Sequence, residues 1–319
     1  LADPLLNLRF IAVAHPEHAL HRLGRTLEFE DLQRHRQIVV RDSGSLRATD
    51  SGWLGAEQRW TVSQMSTSIR AIAAGNGFAW LPELKIADLL AAASPARVIV
   101  GASDPDPRTA GKGIERLRSS GIEAILAQDP HSAASLSGYL TRARHDRPHV
   151  TLKLALSLDG CIAMADGSSQ WITGEAARAH VHAQRALADA ILVGGGTWRA
   201  DAPRLDVRLP GLETRSPQRW VLTSQEAPGA RTIAAPAEIA RIPAQYLYVE
   251  GGAHTAASFL EADLVDRLDI YRAPILIGGG RPALQDFGLG ELAQAHGRWQ
   301  PVERRNLGPD TFEAFARTR

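Results

Sequence analysis

The sequence predicts an α/β protein. From Val150 to Arg208, strand, loop, helix, strand and glycine turn follow one another. Two apolar strands, Ala190 to Val193 and Tyr246 to Val249, each run into glycines and then into a helix pattern. Apolar runs also recur in the N-terminal half, and Leu8 to Ala14 is nearly continuous, as in a strand covered on both faces. This alternation marks helices laid on an open sheet.

The length, 319 residues, corresponds to about two domains. With 44% hydrophobic residues the chain can bury sizeable cores. A formal net charge of +1 argues against a bulk basic surface for nucleic acid and against an acidic tail. The single cysteine, Cys161, excludes an internal disulfide framework and a cysteine-rich zinc site, and fits a reducing cytosol. No run approaches the roughly 18 apolar residues of a membrane span. Leu1-Ala2-Asp3-Pro4 carries neither an initiator methionine nor a signal-peptide pattern, so the chain reads as an excerpt or a processed form. A cytoplasmic globular protein without nucleic-acid or membrane partners is expected.

In residues 1–93, Leu8 to Ala14 is a strand and His15-Pro16-Glu17-His18 a turn. Thr26 to Arg34 has helical spacing, and Gln37 to Val40 and Arg59 to Val62 are strands. Ser63 is a helix cap, the helix Met65 to Ala74 stops at Gly75-Asn76-Gly77, and Phe78 to Leu81 is a fourth strand. Phe10 to His18, Ile38 to Ser43 and Trp60 to Pro82 resemble one lobe of the effector-binding domain of LysR-type transcription regulators. The resemblance implies a small α/β lobe, half of a periplasmic-binding-protein-like pair. The partner lobe and the helix-turn-helix segment have no counterpart here. Ser63 or Ser66 would begin the cleft helix; in a single lobe both serve better as caps for free N–H groups.

Residues 94–148 form a short second unit: strand Ala96 to Val100, turn Asp104-Pro105-Asp106-Pro107, helix Gly113 to Ser120 closed by Gly121, and strand Ile122 to Leu126. They resemble the last part of the cytidine-deaminase-like domain of the bifunctional riboflavin-pathway deaminase–reductase. Zinc deamination needs His-x-Glu followed by Pro-Cys-x-x-Cys. His15-Pro16-Glu17 spells only the first half and no cysteine pair follows, so no deaminase and no metal site is expected. The junction near Ala91 to Ala96 joins two resemblances that do not normally share a chain; a natural fusion, an engineered one and a sequence-assembly error are all compatible with it.

The chemistry lies after His149. Glycine turns that follow strands let backbone approach a ligand, and the helix starts behind them offer N–H groups to phosphate. Gly194-Gly195-Gly196-Thr197 and Glu250-Gly251-Gly252 repeat that plan, and strand Arg219 to Thr223 ends at Ser224. Neither glycine cluster spells the Rossmann fingerprint, and there is no P-loop. From His149 to Thr311-Phe312-Glu313 the chain resembles the reductase domain of the same riboflavin enzyme. The resemblance implies a dihydrofolate-reductase-like fold over residues 149–319. It also implies NADPH-dependent reduction of 5-amino-6-(5-phosphoribosylamino)uracil to its ribitylamino form, and a homodimer through this domain.

By the same resemblance the cofactor side is Ala155, Trp171, Thr197, Asp201, Ser224, Gly252, Ala253, His254, Thr255, Ala256, Ala257 and Ser258. The substrate side is Ser169, Arg185, Leu205, Arg208 and Glu250, with Lys153 and Glu250 as the catalytic pair. Arg185 and Arg208 can grip a phosphate bidentately, Ser169 can donate to it, and Glu250 can accept from sugar or pyrimidine. Trp171 offers a flat wall to nicotinamide, and Lys153 can reach the opened sugar. Each residue also has a purely structural reading: Arg185 as a solvated charge or an ion-pair partner, Asp201 as a turn cap, Glu250 as an exposed strand end. Their joint order favours function. His180 and His182, two apart on a helix, make no metal pair. Two departures stand out: Cys161 where the family has a basic residue, and a short segment from Ala227 to Gln245, which puts cofactor affinity in question.

Overall fold

Most of the apolar runs become strands. The computed structural model describes residues 10–15, 17–23, 25, 29–41, 50–51, 58–62, 65–82 and 97–319, and the chain divides into two compact units, 1–136 and 137–319. In the first unit one sheet contains β1 (Phe10–Ala14), β2 (Gln37–Arg41), β3 (Asp50–Ser51), β4 (Arg59–Val62) and β5 (Phe78–Pro82). β1 runs antiparallel to β5, whereas β2 runs parallel to β4 and β5. Two helices accompany it, α1 (Phe29–Gln33) and α2 (Met65–Ala73). α2 ends where expected: Gly75 sits at φ 75°, which an L side chain rarely adopts. Ile38, Val62, Ile72, Ala79 and Leu81 make the core. His15 caps its own turn, its Nδ1 accepting the Glu17 N–H at 3.2 Å. Ser63, the Ser66 side chain, residues 26–28 and the Ala91 to Ala96 junction lie outside the described residues.

The same unit holds a parallel pair, β6 (Arg97–Val100) and β7 (Glu123–Leu126), joined through α3 (Lys112–Ser119). Val98, Val100, Ile114, Leu117, Ile122 and Ala124 form a small separate core. α4 (Pro130–Ser135) starts on Asp129, whose carboxylate accepts the Ser132 N–H at 2.7 Å.

The second unit begins with α5 (Ser137–His145), earlier than the boundary at 148–149 expected from sequence. Arg142 is the reason. Its guanidinium donates to the carbonyls of Ala240, Ile242 and Ala244 at 3.1, 2.5 and 2.7 Å, tying α5 to the short 227–245 segment.

An eight-stranded sheet then dominates. Its strands are β8 (His149–Leu156), β10 (Ala190–Gly194), β11 (Gln218–Leu222), β12 (Arg231–Ile233), β13 (Tyr246–Glu250), β14 (Arg267–Arg272), β16 (Trp299–Leu307) and β17 (Asp310–Arg317). β9 (Cys161–Ala163) and β15 (Arg281–Pro282) form a separate small pair. The order in the large sheet is β12-β11-β10-β13-β8-β14-β17-β16. The first six are parallel, and β17 and β16 close one edge antiparallel.

Side-chain alternation gives the sheet two different faces. Val150, Leu152, Leu154, Leu247 and Val249 pack with Phe259 and other residues of α8 (Ala253–Glu261). The opposite face packs Ile191, Val193, Tyr248, Tyr271 and Phe312 against Ala177 and Val181 of α6 (Glu175–Leu187). Lys153, Glu250 and Asp269 occupy the alternate strand positions that belong to this second face.

Candidate active site

The carboxyl ends of the parallel strands lie along one edge of the sheet. The chain leaves β8 for β10 and later inserts β13 between them, so the strand order switches at β13. Ligands of open α/β sheets bind outside such switch points. Two helices start here: α7 (Gly195–Asp201) directly after β10 and α8 after β13. Their cap residues, Gly194 and Gly252, make no side-chain capping bond, so the first-turn N–H groups have no side-chain cap.

The glycines divide into two groups. A Cβ on Gly194 would stand 2.2 Å from Thr255 Oγ1, one on Gly251 2.7 Å from Thr255 Cβ, and one on Gly195 3.0 Å from Thr223 Oγ1. Gly194 and Gly251 therefore let the two turns pack on each other, and Gly195 lets the first turn sit against Thr223 at the end of β11, rather than admitting a ligand as their sequence pattern implied. Gly196 faces open space and a Cβ on Gly252 would meet Thr197 Oγ1 at only 3.6 Å, so close approach of a ligand is possible at those two.

On the α6 face three charged side chains share one level. Backbone register places Lys153 of β8 between Glu250 of β13 and Asp269 of β14. Arg185, on α6, clamps Glu250: Nε donates to Oε1 at 2.6 Å and Nη2 to Oε2 at 2.9 Å. Its remaining Nη1 donates to the Asp206 carbonyl at 3.0 Å. The two side chains retain only 12% and 13% exposure. Arg185, expected at a phosphate, thus has all three guanidinium nitrogens engaged within the protein, and Glu250, expected to accept from substrate, is held in place by that clamp.

The electrostatics follow from burial. Burial pushes the Lys153 ammonium below its usual range, with Arg185 adding to that and Glu250 opposing it. Burial works to raise the Glu250 carboxyl, but the Arg185 charge and hydrogen bonds outweigh it and leave it lowered. The site therefore presents a fixed carboxylate beside an amine that gives up its proton more readily than a free lysine does.

The other expected residues are scattered more widely. Ala155 is half-buried near the end of β8 and Thr197 half-buried in the first turn of α7, Asp201 is exposed as the last residue of α7, and Ser224 is exposed just beyond β11. Trp171 is 63% exposed with the Arg178 guanidinium 4.9 Å over its ring, and Ser169 is exposed beside it. Ala253 is half-buried and His254 exposed. Ala256 and Ala257 are buried at 0% and 5%, so their methyls cannot line a cofactor. Thr255 is used against the glycine turns, and Ser258 Oγ donates to the Thr255 carbonyl at 2.9 Å. Leu205 is a core residue at 4% exposure, in left-handed backbone at φ 54°. Together with Ala202 at φ 40° it shapes the turn that brings the Asp206 carbonyl to Arg185. Arg208 is exposed and free to swing, its Nε 3.5 Å from Asp206 and its N–H on His182 Nδ1 at 3.3 Å.

Sequence reasoning missed Asp206, Tyr248, Asp269 and Tyr271. Tyr248 was legible, since period-two alternation puts it on the face of Glu250. Asp269 was also legible as a lone charge between Leu268 and Ile270. Among the described residues no group of three or more His, Cys, Asp or Glu is placed to hold a metal ion, and no helix is long and apolar enough to cross a membrane.

A family profile described as the RibD C-terminal domain matches residues 148–312, and one described as the LysR substrate binding domain matches residues 1–110. The riboflavin biosynthesis protein RibD of Mycobacterium tuberculosis is 39% identical over 232 residues, covering 67% of this chain and 68% of that protein. RibD of Escherichia coli K12 is 34% identical over 275 residues, covering 70% and 75%. Acinetobacter baumannii RibD superimposes with a TM-score of 0.63 at 28% identity over 73% of this chain and 76% of that one. A Thermotoga maritima structure, described as a diaminohydroxyphosphoribosylaminopyrimidine deaminase/5-amino-6-(5-phosphoribosylamino)uracil reductase, gives 0.63 at 26% identity over 73% and 74%.

Proposed function

The chain belongs to the RibD C-terminal domain family, and from that premise we propose that it is a nicotinamide-dependent reductase of riboflavin biosynthesis. Its substrate is 5-amino-6-(5-phosphoribosylamino)uracil and its hydride donor NADPH, held on a dihydrofolate-reductase-like domain. The observation that carries this reading is Lys153 beside the Arg185–Glu250 clamp at the switch-point edge, next to two uncapped helix starts.

The residues fit a dinucleotide. Gly196 and Gly252 leave the backbone open to close approach, and the N–H groups behind them suit a pyrophosphate. Thr197, Asp201 and Ser224 stand around that edge. The reduced nicotinamide supplies the hydride. The protein's own part is placement and electrostatics. Glu250, held rigid by Arg185, orients the opened sugar with its outward lone pairs; Lys153 carries the proton the reduction consumes; Arg208, exposed beside Asp206, is the cation for the phosphate.

In this reading residues 94–148 are the remnant of a deaminase domain without its zinc motif, so deamination is absent. The relatives' coverage of the chain beyond residues 148–312 supports it. The protein works as a homodimer in the cytoplasm. The match over residues 1–110 favours a second reading, a fragment of a LysR-type effector-binding domain fused to an idle reductase. One assay separates them. NADPH absorbance is followed with the ribosylamino-pyrimidine phosphate present, and steady oxidation is expected. No oxidation above background by folded protein would sink the reductase reading.

A further inference from the structure

The turn that follows α7 is held from three sides. Leu205 and Val207 are buried, and Arg204 and Arg208 are exposed on either side of Asp206. Ala202 and Leu205 both stand in left-handed backbone, which L residues rarely adopt and which surrounding contacts must impose. Three consecutive residues supply such contacts through their backbone. The Asp206 carbonyl accepts from Arg185 Nη1 at 3.0 Å, the Val207 N–H donates to Ser216 Oγ at 3.0 Å, and the Arg208 N–H donates to His182 Nδ1 at 3.3 Å. Ser216 Oγ is itself tied to the Glu213 carbonyl at 2.7 Å. His182 and Arg185 are three residues apart on α6 and therefore share a face. The guanidinium that clamps Glu250 thus also holds the turn at Asp206, and His182 holds it two residues further on.

We propose that His182 is a positioning residue for the substrate phosphate: by pinning the Arg208 backbone it sets where that cation stands relative to Glu250.

The Arg208 side chain cannot set this by itself. It is 54% exposed, and its Nε lies 3.5 Å from an Asp206 carboxylate that Arg204 Nη2 approaches more closely, at 3.0 Å. A long side chain so loosely held is placed only as well as its own backbone, and a supporting contact one step behind the binding group supplies that placement. An imidazole that accepts at Nδ1 is neutral. Burial, Arg185 and Arg208 favour that form, against Glu250 and the Asp206 backbone. His182 therefore brings no charge of its own to the phosphate and acts through the Arg208 peptide.

The inference rests on the proposed substrate, whose phosphate Arg208 meets. Calorimetric binding to the full chain without nicotinamide tests it free of turnover. The ligands are 5-amino-6-(5-phosphoribosylamino)uracil and its dephosphorylated form. His182→Ala keeps a good helix former at this position. It should weaken the phosphorylated ligand about tenfold and leave the other unchanged. His182→Asn, whose Oδ1 can take the Arg208 N–H, should recover most of that loss. Arg208→Ala should lose at least as much, and His182→Ala added to it should cost nothing further, because the pinned side chain is gone. An unchanged affinity in His182→Ala overturns the inference. So does an equal loss for both ligands, which marks a merely structural histidine, or a further loss in the double variant. A wild type that prefers the phosphorylated ligand yet oxidises no NADPH overturns the reductase reading and leaves the role of His182 standing. A wild type without that preference removes Arg208 from the phosphate and the inference with it.

Discussion

Two Arg–carboxylate forks sit at opposite ends of the same sheet. At the amino edge Arg147 grips Asp266 at 2.7 and 2.9 Å; at the carboxyl edge Arg185 grips Glu250 at 2.6 and 2.9 Å. Both are almost dry. Their surroundings differ. Asp266 also accepts the Val150 N–H at 2.8 Å and a bond from Arg319, so the pair is closed by the backbone it pins. Glu250 instead is level with Lys153, and the buried Tyr248 lies two residues along its own strand on the same face. One ion pair can thus be a staple or a site, and what decides is whether its neighbours complete it or leave it reaching outward.

Breaking each fork should separate the two roles most clearly. Glu250→Gln is expected to lower kcat about a thousandfold, because the fixed charge beside Lys153 is lost. Asp266→Asn should leave kcat of the folded protein unchanged and cost about 3 kcal/mol in urea unfolding, because Arg147 is left buried without its counter-charge. If Asp266→Asn slows turnover at saturating substrate, the two ends are not independent.

Acid should act mainly on the staple. Burial pushes the His149 imidazole down to about 4, and Asp266, raised by burial but overcome by Arg147, is held at about 2. In the unfolded chain His149 takes a proton near 6.5 and the fold resists it, so its stability is complete above that pH and is lost as pH falls toward 4. The size is about 3 kcal/mol. Asp266 contributes a further window, from its ordinary 3.8 down to about 2, worth about 2 kcal/mol. The two share their mutual attraction and do not simply add. Urea midpoints of the full chain should fall from pH 6.5 to 4. His149→Gln should flatten that limb while leaving the lower one; an unchanged slope would place the acid sensitivity elsewhere.

The sequence showed the carboxyl edge far better than the amino edge. Glycine-led turns, Glu250 after an apolar strand and Lys153 within one are local patterns. Arg147 and Asp266 meet across 119 positions, and nothing local announces either. Strands failed for a similar reason. β16 (Trp299–Leu307) is an edge strand with most side chains in water, so its charges hide its period. β14 buries Asp269, which breaks the apolar run that would mark a central strand. Arg185 and Glu250 were both picked out, yet their bond to each other was not, because helix and strand residues meet only once the crossover is folded.

The glycine turns give the smallest and most specific test of the same contrast between closed and open neighbourhoods. Gly194 and Gly196 are two residues apart with the same side chain. A Cβ on Gly194 falls 2.2 Å from Thr255 Oγ1, closer than atoms can sit, so Gly194→Ala must turn Thr255 out of its packed rotamer or push α8 away from β10, and should cost about 1–3 kcal/mol. Thr255→Ala removes the obstructing hydroxyl, and the double variant should recover most of that loss, a coupling readable as a double-mutant cycle. Gly196 meets nothing within 4 Å, and it lies inside α7, where alanine is the better helix former. Gly196→Ala should therefore leave stability equal or slightly higher. If that open face receives the cofactor, the added methyl raises the KM for NADPH several-fold with kcat nearly unchanged. Equal NADPH affinity in wild type and Gly196→Ala would remove Gly196 from the cofactor surface and leave Gly252 as the only glycine of the two turns open to it.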